Sequence, residues 1–291
     1  MGLVGCGRIA ERGWIPALER SVAARLAAVA DVDPARCAAV APDVPAYEDA
    51  DALVAAGGVD AVVVATPVDA HLADARAAAA AGLPTLVEKP PARDAAEARA
   101  LADLDPPPWI GFNRRFDPAL RRPHAEGRLD LRLALHYRRA SWRPLQVFDE
   151  ALLDLGPHTV DLARWFARSP VRRVRTDVLT PARCELELEL ETGRAVLSCA
   201  SDRVFREVVD VRAAGSSVVR VTRGGLRAAV LARLRLADEH VLVDSLAAEL
   251  EAFRGAVRGN GDGALATAAD GVAAMEAIDA ARRSAGAWVD V

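Results

Sequence analysis

The chain has 291 residues, 52% of them hydrophobic and 4% aromatic, with a formal net charge of −4. That length suits two domains around an aliphatic core. The mild charge, with no block of basic residues, argues against an obligate nucleic-acid partner, and no apolar run reaches the ~18 residues a membrane helix needs.

The start, Met1–Cys6, carries no basic n-region and no usable apolar stretch, so no signal peptide is expected. Four cysteines (Cys6, Cys37, Cys184 and Cys199) show no C-x-x-C spacing and read as small buried hydrophobes of a reducing compartment. A cytoplasmic protein is the expectation. The first strand-like run begins almost at Met1, which predicts either a short central strand or a start further upstream.

Over the first 112 residues, strand and helix signals alternate. Strand-like runs stand at Leu3–Gly5, Leu26–Asp31, Ala61–Ala65, Thr85–Glu88 and Trp109–Phe112. Alanine-rich helical patterns separate them at Ile9–Glu19, Pro34–Ala41, Ala50–Ala56, Asp69–Ala81 and Ala92–Leu104. Buried, non-alternating strands separated by helices predict an α/β fold with a doubly wound parallel sheet. Asp105–Pro108 breaks the last of these helices and marks a stiff joint.

From about residue 113 the pattern changes. Leu129, Leu131, Leu133 and Leu135 alternate with polar residues, and so do Leu186, Leu188 and Leu190 with Glu185, Glu187, Glu189 and Glu191. Period two predicts a mostly antiparallel, open sheet with one face buried. Val208–Val211 and Val218–Val221 continue it. On the polar face the Glu-rich strands are expected to pair with Arg132, Arg212 and Arg220, and the face either stays solvated or meets another subunit. Helices are expected at Ser245–Arg258 and from Thr267, with Asp270 in a capping-box-like position. The boundaries read as 1–112 and 113–291, the second part an α+β domain.

Three constellations carry chemistry. Gly5-Cys6-Gly7-Arg8-Ile9-Ala10 gives G-x-G-x-x-A between the first strand and the first helix, a turn that lets backbone approach a pyrophosphate. Asp31, ending the second strand, suits the ribose hydroxyls and repels a 2′-phosphate, which favours NAD(H), while nearby Arg36 keeps NADP(H) open. Thr66, Pro67 and His71 follow another strand, on the edge where such sheets bind ligands. His71 also reads as a structural helix residue.

The second constellation is Glu88-Lys89-Pro90 at the end of Thr85–Glu88. Of 37 basic residues, Lys89 alone is lysine, a compact and tunable ammonium among arginines, although arginine-rich coding bias explains the other cations. A cis Lys89–Pro90 bond is compatible with the sequence, and Glu88 is expected to pair with backbone or with Arg114. The third is Asp154-Leu155-Gly156-Pro157-His158, read with Pro157 at a first helical position, so that the helix N-terminus would disfavour the imidazolium of His158. A metal site with Asp161 and a plain capping turn are the rival readings, and no metal is assigned.

These motifs, in this order and together with Gly111–Pro118 and Ala252–Gly259, resemble the Gfo/Idh/MocA family, named for glucose–fructose oxidoreductase and inositol dehydrogenase. The resemblance implies a Rossmann-type domain and a hydride transfer between nicotinamide and a hydroxyl- or keto-bearing carbon of a sugar, cyclitol or sugar derivative. It makes Lys89 the partner of the reacting oxygen, His158 the general acid/base and Asp154 the residue that orients substrate or imidazole. Gly5, Gly7, Arg8, Ile9, Ala10, Asp31, Thr66, Pro67, His71, Glu88 and Lys89 become the expected cofactor contacts. It further implies a homo-oligomer, dimer or tetramer, with a small-molecule substrate and neither nucleic-acid nor membrane partners.

The chain is short for that family, and Phe148–Ala151 replaces a usual glycine-rich stretch. Arg114, Arg115, Arg138, Arg139 and Arg143 are candidates to border the substrate, where their forks would suit phosphate or carboxylate groups; the plain alternative is surface arginine. An NAD-dependent glycosidase using the same residues and a non-catalytic NAD-binding regulator are the other functional readings. A regulator would have no need of Lys89, Asp154 and His158 together.

Overall fold

A computed structural model describes residues 1–291 apart from 23, 121–126, 139–149, 226–239 and 262. Arg139, Arg143 and Phe148–Asp149 therefore lie outside the described residues. The chain forms two compact units, one of Met1–Asp117 with Glu239–Val272, the other of Pro118–Asp238 with Ala273–Val291.

In the first unit, short strands β1 (Gly2–Val4), β2 (Ala28–Ala30), β3 (Ala46–Tyr47), β4 (Val62–Val64), β5 (Thr85–Glu88) and β6 (Trp109–Gly111) run parallel in the order β6-β5-β4-β1-β2-β3. Val62, Val63, Val64, Leu86 and Val87 are fully buried, as the unbroken apolar runs require of a sheet covered on both faces. Helices α1 (Ile15–Arg20, entered through a π-turn at Ala10–Trp14), α2 (Pro34–Val40), α3 (Ala50–Ala56), α4 (His71–Ala80) and α5 (Ala95–Ala102) connect the strands. Asp33, Asp49 and Asp94 cap the N-termini of α2, α3 and α5 through their carboxylates.

The expected boundary at 112 needs correction. The division falls after Asp117, and 239–272 returns to the first unit. Helix α7 (His240–Val257) buries Leu246, Leu250 and Phe253 in the same apolar cluster as Trp14, Leu18 and Phe116. Strand β13 (Ala266–Thr267) then pairs antiparallel with β6. An amphipathic helix far along the chain can cover either sheet, and its pattern alone does not say which. Thr267 and Asp270 do form the expected reciprocal cap at the start of α8 (Ala268–Ser284): the Thr267 N–H donates to Asp270 Oδ2 at 3.1 Å, and the Asp270 N–H to Thr267 Oγ1 at 3.3 Å.

The second unit holds a seven-stranded sheet in the order β12-β11-β7-β10-β9-β8-β14. Its strands are β7 (Leu129–Arg138), β8 (Val171–Thr180), β9 (Arg183–Leu190), β10 (Gly193–Ala200), β11 (Asp202–Ala213), β12 (Ser216–Gly224) and β14 (Val289–Asp290). Only the β7–β10 pair is parallel; the other five are antiparallel. The leucines at 129, 131, 133, 135, 186, 188 and 190 form the buried face. Helix α6 (Ala151–Ala167) packs on it, and a Cβ on Gly156 of α6 would lie 2.7 Å from the Ile278 side chain of α8.

The charged face is laced differently from expectation. Glu187 and Glu191 meet Arg175 at 3.1 Å and Arg172 at 2.9 Å, Glu189 meets Arg173, and Asp210 sits between Arg212 and Arg220. Register decides this: β9 lies between β8 and β10, out of reach of β11 and β12.

Candidate active site

In the first unit the glycine turn is shaped by two different constraints. Gly5 has φ +96°, and a Cβ there would lie 2.6 Å from the Ala65 carbonyl carbon and the Thr66 nitrogen, so the turn is pressed against the end of β4. A Cβ on Gly7 would meet nothing within 4 Å. Nothing in the fold itself demands glycine at position 7, whereas a phosphate approaching the backbone would. Ala10 is fully buried where the first helix packs on the sheet.

Asp31 is fixed in place by this turn. Its Oδ2 accepts the Cys6 N–H at 2.8 Å and its Oδ1 the Asp33 N–H at 2.9 Å. A carboxylate held by two backbone donors presents its remaining lone pairs in set directions, as a ribose diol requires. Arg36 lies 3.5 Å from Asp33, and Arg8 3.3 Å from Glu11. The residues present thus fit a dinucleotide.

Along the carboxyl edge, Thr66 donates its hydroxyl to Asp74 Oδ2 at 2.6 Å. His71 Nε2 stands 2.9 Å from the Thr66 carbonyl oxygen, and burial pushes the imidazole pKa down to about 4. The ring is therefore neutral near pH 7, and its Nε2 carries the proton it donates. His71 braces the Thr66 loop from inside the unit, in keeping with a structural role. Pro67, extended, starts the short turn that leads to it.

Glu88 is buried, with Oε1 accepting the Trp14 indole N–H at 2.9 Å and Oε2 the Lys89 backbone N–H at 3.1 Å. The Lys89–Pro90 peptide bond is cis. Glu88 thereby anchors the chain at the point where the partly exposed Lys89 begins. Arg115, a candidate substrate residue by sequence, is instead buried within this unit. It pairs with Asp270 at 3.3 Å and donates to the Ala264 carbonyl at 3.4 Å.

In the second unit Asp154 and His158 lie one turn apart on α6, both buried. The helix begins at Ala151, with Glu150 as its cap residue, so Pro157 sits inside it and His158 beyond the first turn. This corrects the sequence reading and removes the dipole argument for His158, because that effect fades within one turn. Fifteen of the seventeen α6 residues are buried, and packing of this extent overrides the cost of an internal proline. Asp154 Oδ2 accepts the hydroxyl of Tyr137.

Sequence reasoning missed Trp14, Asp74 and Tyr137. Tyr137 alone carried a readable signal: it continues the stripe Leu129-Leu131-Leu133-Leu135 and so faces the helix side of β7. The cysteines also prove to be paired in space. Cys6 Sγ lies 3.6 Å from Cys37 Sγ, and Cys184 faces Cys199 across β9 and β10, all four as free thiols. Among the described residues, no three His, Cys, Asp or Glu side chains gather as a metal site would need.

Residues 1–105 match the family model described as "Oxidoreductase family, NAD-binding Rossmann fold". The chain is 31% identical to the rhizopine catabolism protein MocA of Rhizobium meliloti, over 97% of this chain and 93% of that protein. The chain belongs to the Gfo/Idh/MocA family. It is thus an oxidoreductase of the NAD-binding Rossmann type. Inositol 2-dehydrogenase 2 of Saccharopolyspora erythraea is 32% identical over 68% of this chain; the match spans 64% of that relative's length. The fold is also that of an oxidoreductase from Agrobacterium radiobacter, solved in complex with NAD+, L-tartaric acid and magnesium (TM-score 0.81, 22% identity, 99% of this chain and 97% of that one). No helix among the described residues is long and apolar enough to cross a membrane.

Proposed function

We propose that the protein is an NAD(H)-dependent dehydrogenase that moves a hydride between nicotinamide and a hydroxyl-bearing carbon of a sugar, a cyclitol or a derivative of one. The observation that carries this reading is one arrangement in the first unit: a dinucleotide turn open at Gly7, Asp31 fixed by the N–H of Cys6, and Lys89 at the carboxyl end of β5. The inositol dehydrogenase relatives support the substrate class, and the NAD+ complex of the Agrobacterium structure supports the cofactor.

Gly5, Gly7 and the first helical residues Arg8, Ile9 and Ala10 would hold the pyrophosphate, Asp31 the adenosine ribose, and Thr66, Pro67, Glu88 and Lys89 the nicotinamide side. Bound, the cofactor supplies the hydride acceptor or donor. The fixed Asp31 carboxylate repels a 2′-phosphate and so favours NAD(H) over NADP(H). We assign the Lys89 ammonium to the reacting oxygen, where a fixed positive charge stabilises developing negative charge. His158 takes up or returns the hydroxyl proton, and Asp154 orients His158 or the substrate. In this reading the enzyme is a cytoplasmic homo-oligomer, dimer or tetramer.

The test is a spectrophotometric screen at 340 nm with NAD and NADP against cyclitols, sugars and sugar nucleotides. The expected result is NADH formation with at least one polyol substrate and a clear preference for NAD. A silent panel contradicts the proposal, and release of a glycosidic leaving group without net NADH points to the glycosidase reading instead.

A further inference from the structure

The leucine stripe of β7 ends in a phenol. Along β7 the inward residues are Leu129, Leu131, Leu133 and Leu135, and the next in that parity is Tyr137. Helix α6 lies on this face, and the Tyr137 hydroxyl donates to Asp154 Oδ2 in its first turn. A fifth aliphatic side chain at 137 would continue the stripe. It would leave the buried carboxylate of Asp154 without this donor, and a buried carboxylate needs such donors to stay charged.

We propose that Tyr137 is a positioning residue of the dehydrogenase reaction and acts through Asp154. The inference rests on the reading of Asp154 and His158 given above. The phenol holds one carboxylate oxygen, which fixes the plane of the group. The other oxygen is then aimed in one direction instead of sampling several. Phenylalanine at this position keeps the ring and the packing and removes only the donor. Tyrosine on a strand, with two side-chain torsions and a rigid ring, is stiffer than a donor carried on a helix loop or a long flexible side chain.

A double-mutant cycle tests this on the full-length protein. Tyr137→Phe is expected to lower kcat about tenfold, with KM changed less than about threefold, a loss of the kind removal of one hydrogen bond to a charged group produces. In an Asp154→Ala background the same change is expected to have no further effect, because the acceptor it positions is gone. A rise in KM at unchanged kcat would make Tyr137 a substrate-binding residue and overturn the proposal. Losses that simply multiply in the double variant would overturn it too.

A second readout does not depend on turnover. The chain has 2 tyrosines, Tyr47 and Tyr137, so two ring-labelled signals suffice for assignment by ¹³Cζ-tyrosine NMR. Asp154→Asn is expected to shift the Tyr137 signal at neutral pH and to leave that of Tyr47 in place. An unmoved Tyr137 signal breaks the Tyr137–Asp154 link. A shifted signal in a protein that forms no NADH with any of the cyclitols, sugars or sugar nucleotides upholds the link and instead refutes the proposed reaction.

Discussion

The two sheets solve the same problem in opposite ways. In the first unit the strands are two to four residues long, the central ones buried on both faces, and the candidate residues stand in the turns and first helical positions at the carboxyl ends of the strands. In the second unit the strands reach 12 residues, one face is leucine and the other a lattice of arginine and carboxylate, and the candidate residues ride on a helix laid across the leucines. The first design places the main chain with precision, which suits a large, invariant ligand recognised largely through backbone. The second places side chains on a rigid rod, which suits proton chemistry at a few atoms. Fixed backbone and fixed side chains are thus separate tasks with separate architectures.

The largest effect should come from the helix. His158→Ala is expected to lower kcat by ~10²–10⁴-fold, the worth of a placed general acid/base, with unchanged helical circular dichroism. Retained turnover would detach the second unit from the chemistry.

Within the first unit the two motif glycines should behave differently. Gly5→Ala drives a Cβ into the Ala65–Thr66 peptide at a positive φ, and is expected to cost about 3 kcal/mol in urea unfolding. Gly7→Ala meets open space and should change stability by less than about 1 kcal/mol. Its effect should appear in calorimetry as NAD binding weakened about tenfold or more, since the methyl occupies the place of phosphate. Equal stability losses in the two variants would contradict this division of labour.

His71 gives a pH test of the same unit. Its folded pKa, about 4, lies below the ordinary imidazole value because burial disfavours the charged ring. The unfolded chain therefore takes up the proton first as pH falls. The stabilisation is complete above about pH 6.5 and declines as pH drops towards 4, by roughly 1.4 kcal/mol per pH unit. Urea unfolding at pH 7 and pH 5 should show this slope in the native sequence and a flatter one in His71→Gln. Identical slopes would mean that the imidazole is not buried neutral.

The smallest effect belongs to the charged face. Arg173 pairs with Glu189 at the surface and lies 5.5 Å from the Trp288 ring centre, and Arg173→Ala should cost no more than about 1 kcal/mol in thermal unfolding.

How much of this was legible in the sequence depended on what kind of force set each feature. The parallel strands, the helices between them and the leucine stripes follow from local periodicity, and Ala50–Ala56 and Thr85–Glu88 match residue for residue. β3 and β13 escaped because two-residue edge strands leave no period to read. The start of α6 escaped because proline ordinarily opens helices, and only tertiary burial keeps Pro157 inside one. The return of 239–272 to the first unit was hidden for a related reason, since an apolar helix face does not name its partner. Of the site, the residues fixed by motif order stood out. Their supports, Trp14, Asp74 and Tyr137, lie 74, 8 and 17 residues from the groups they hold and so left almost no local trace.

The central claim is that the lone lysine stands where the chemistry needs an ammonium. The direct measurement is kcat of Lys89→Arg beside the native sequence, with NAD affinity determined on both proteins. Turnover at least about tenfold lower at unchanged NAD affinity is the predicted result. Near-native turnover in Lys89→Arg would contradict it.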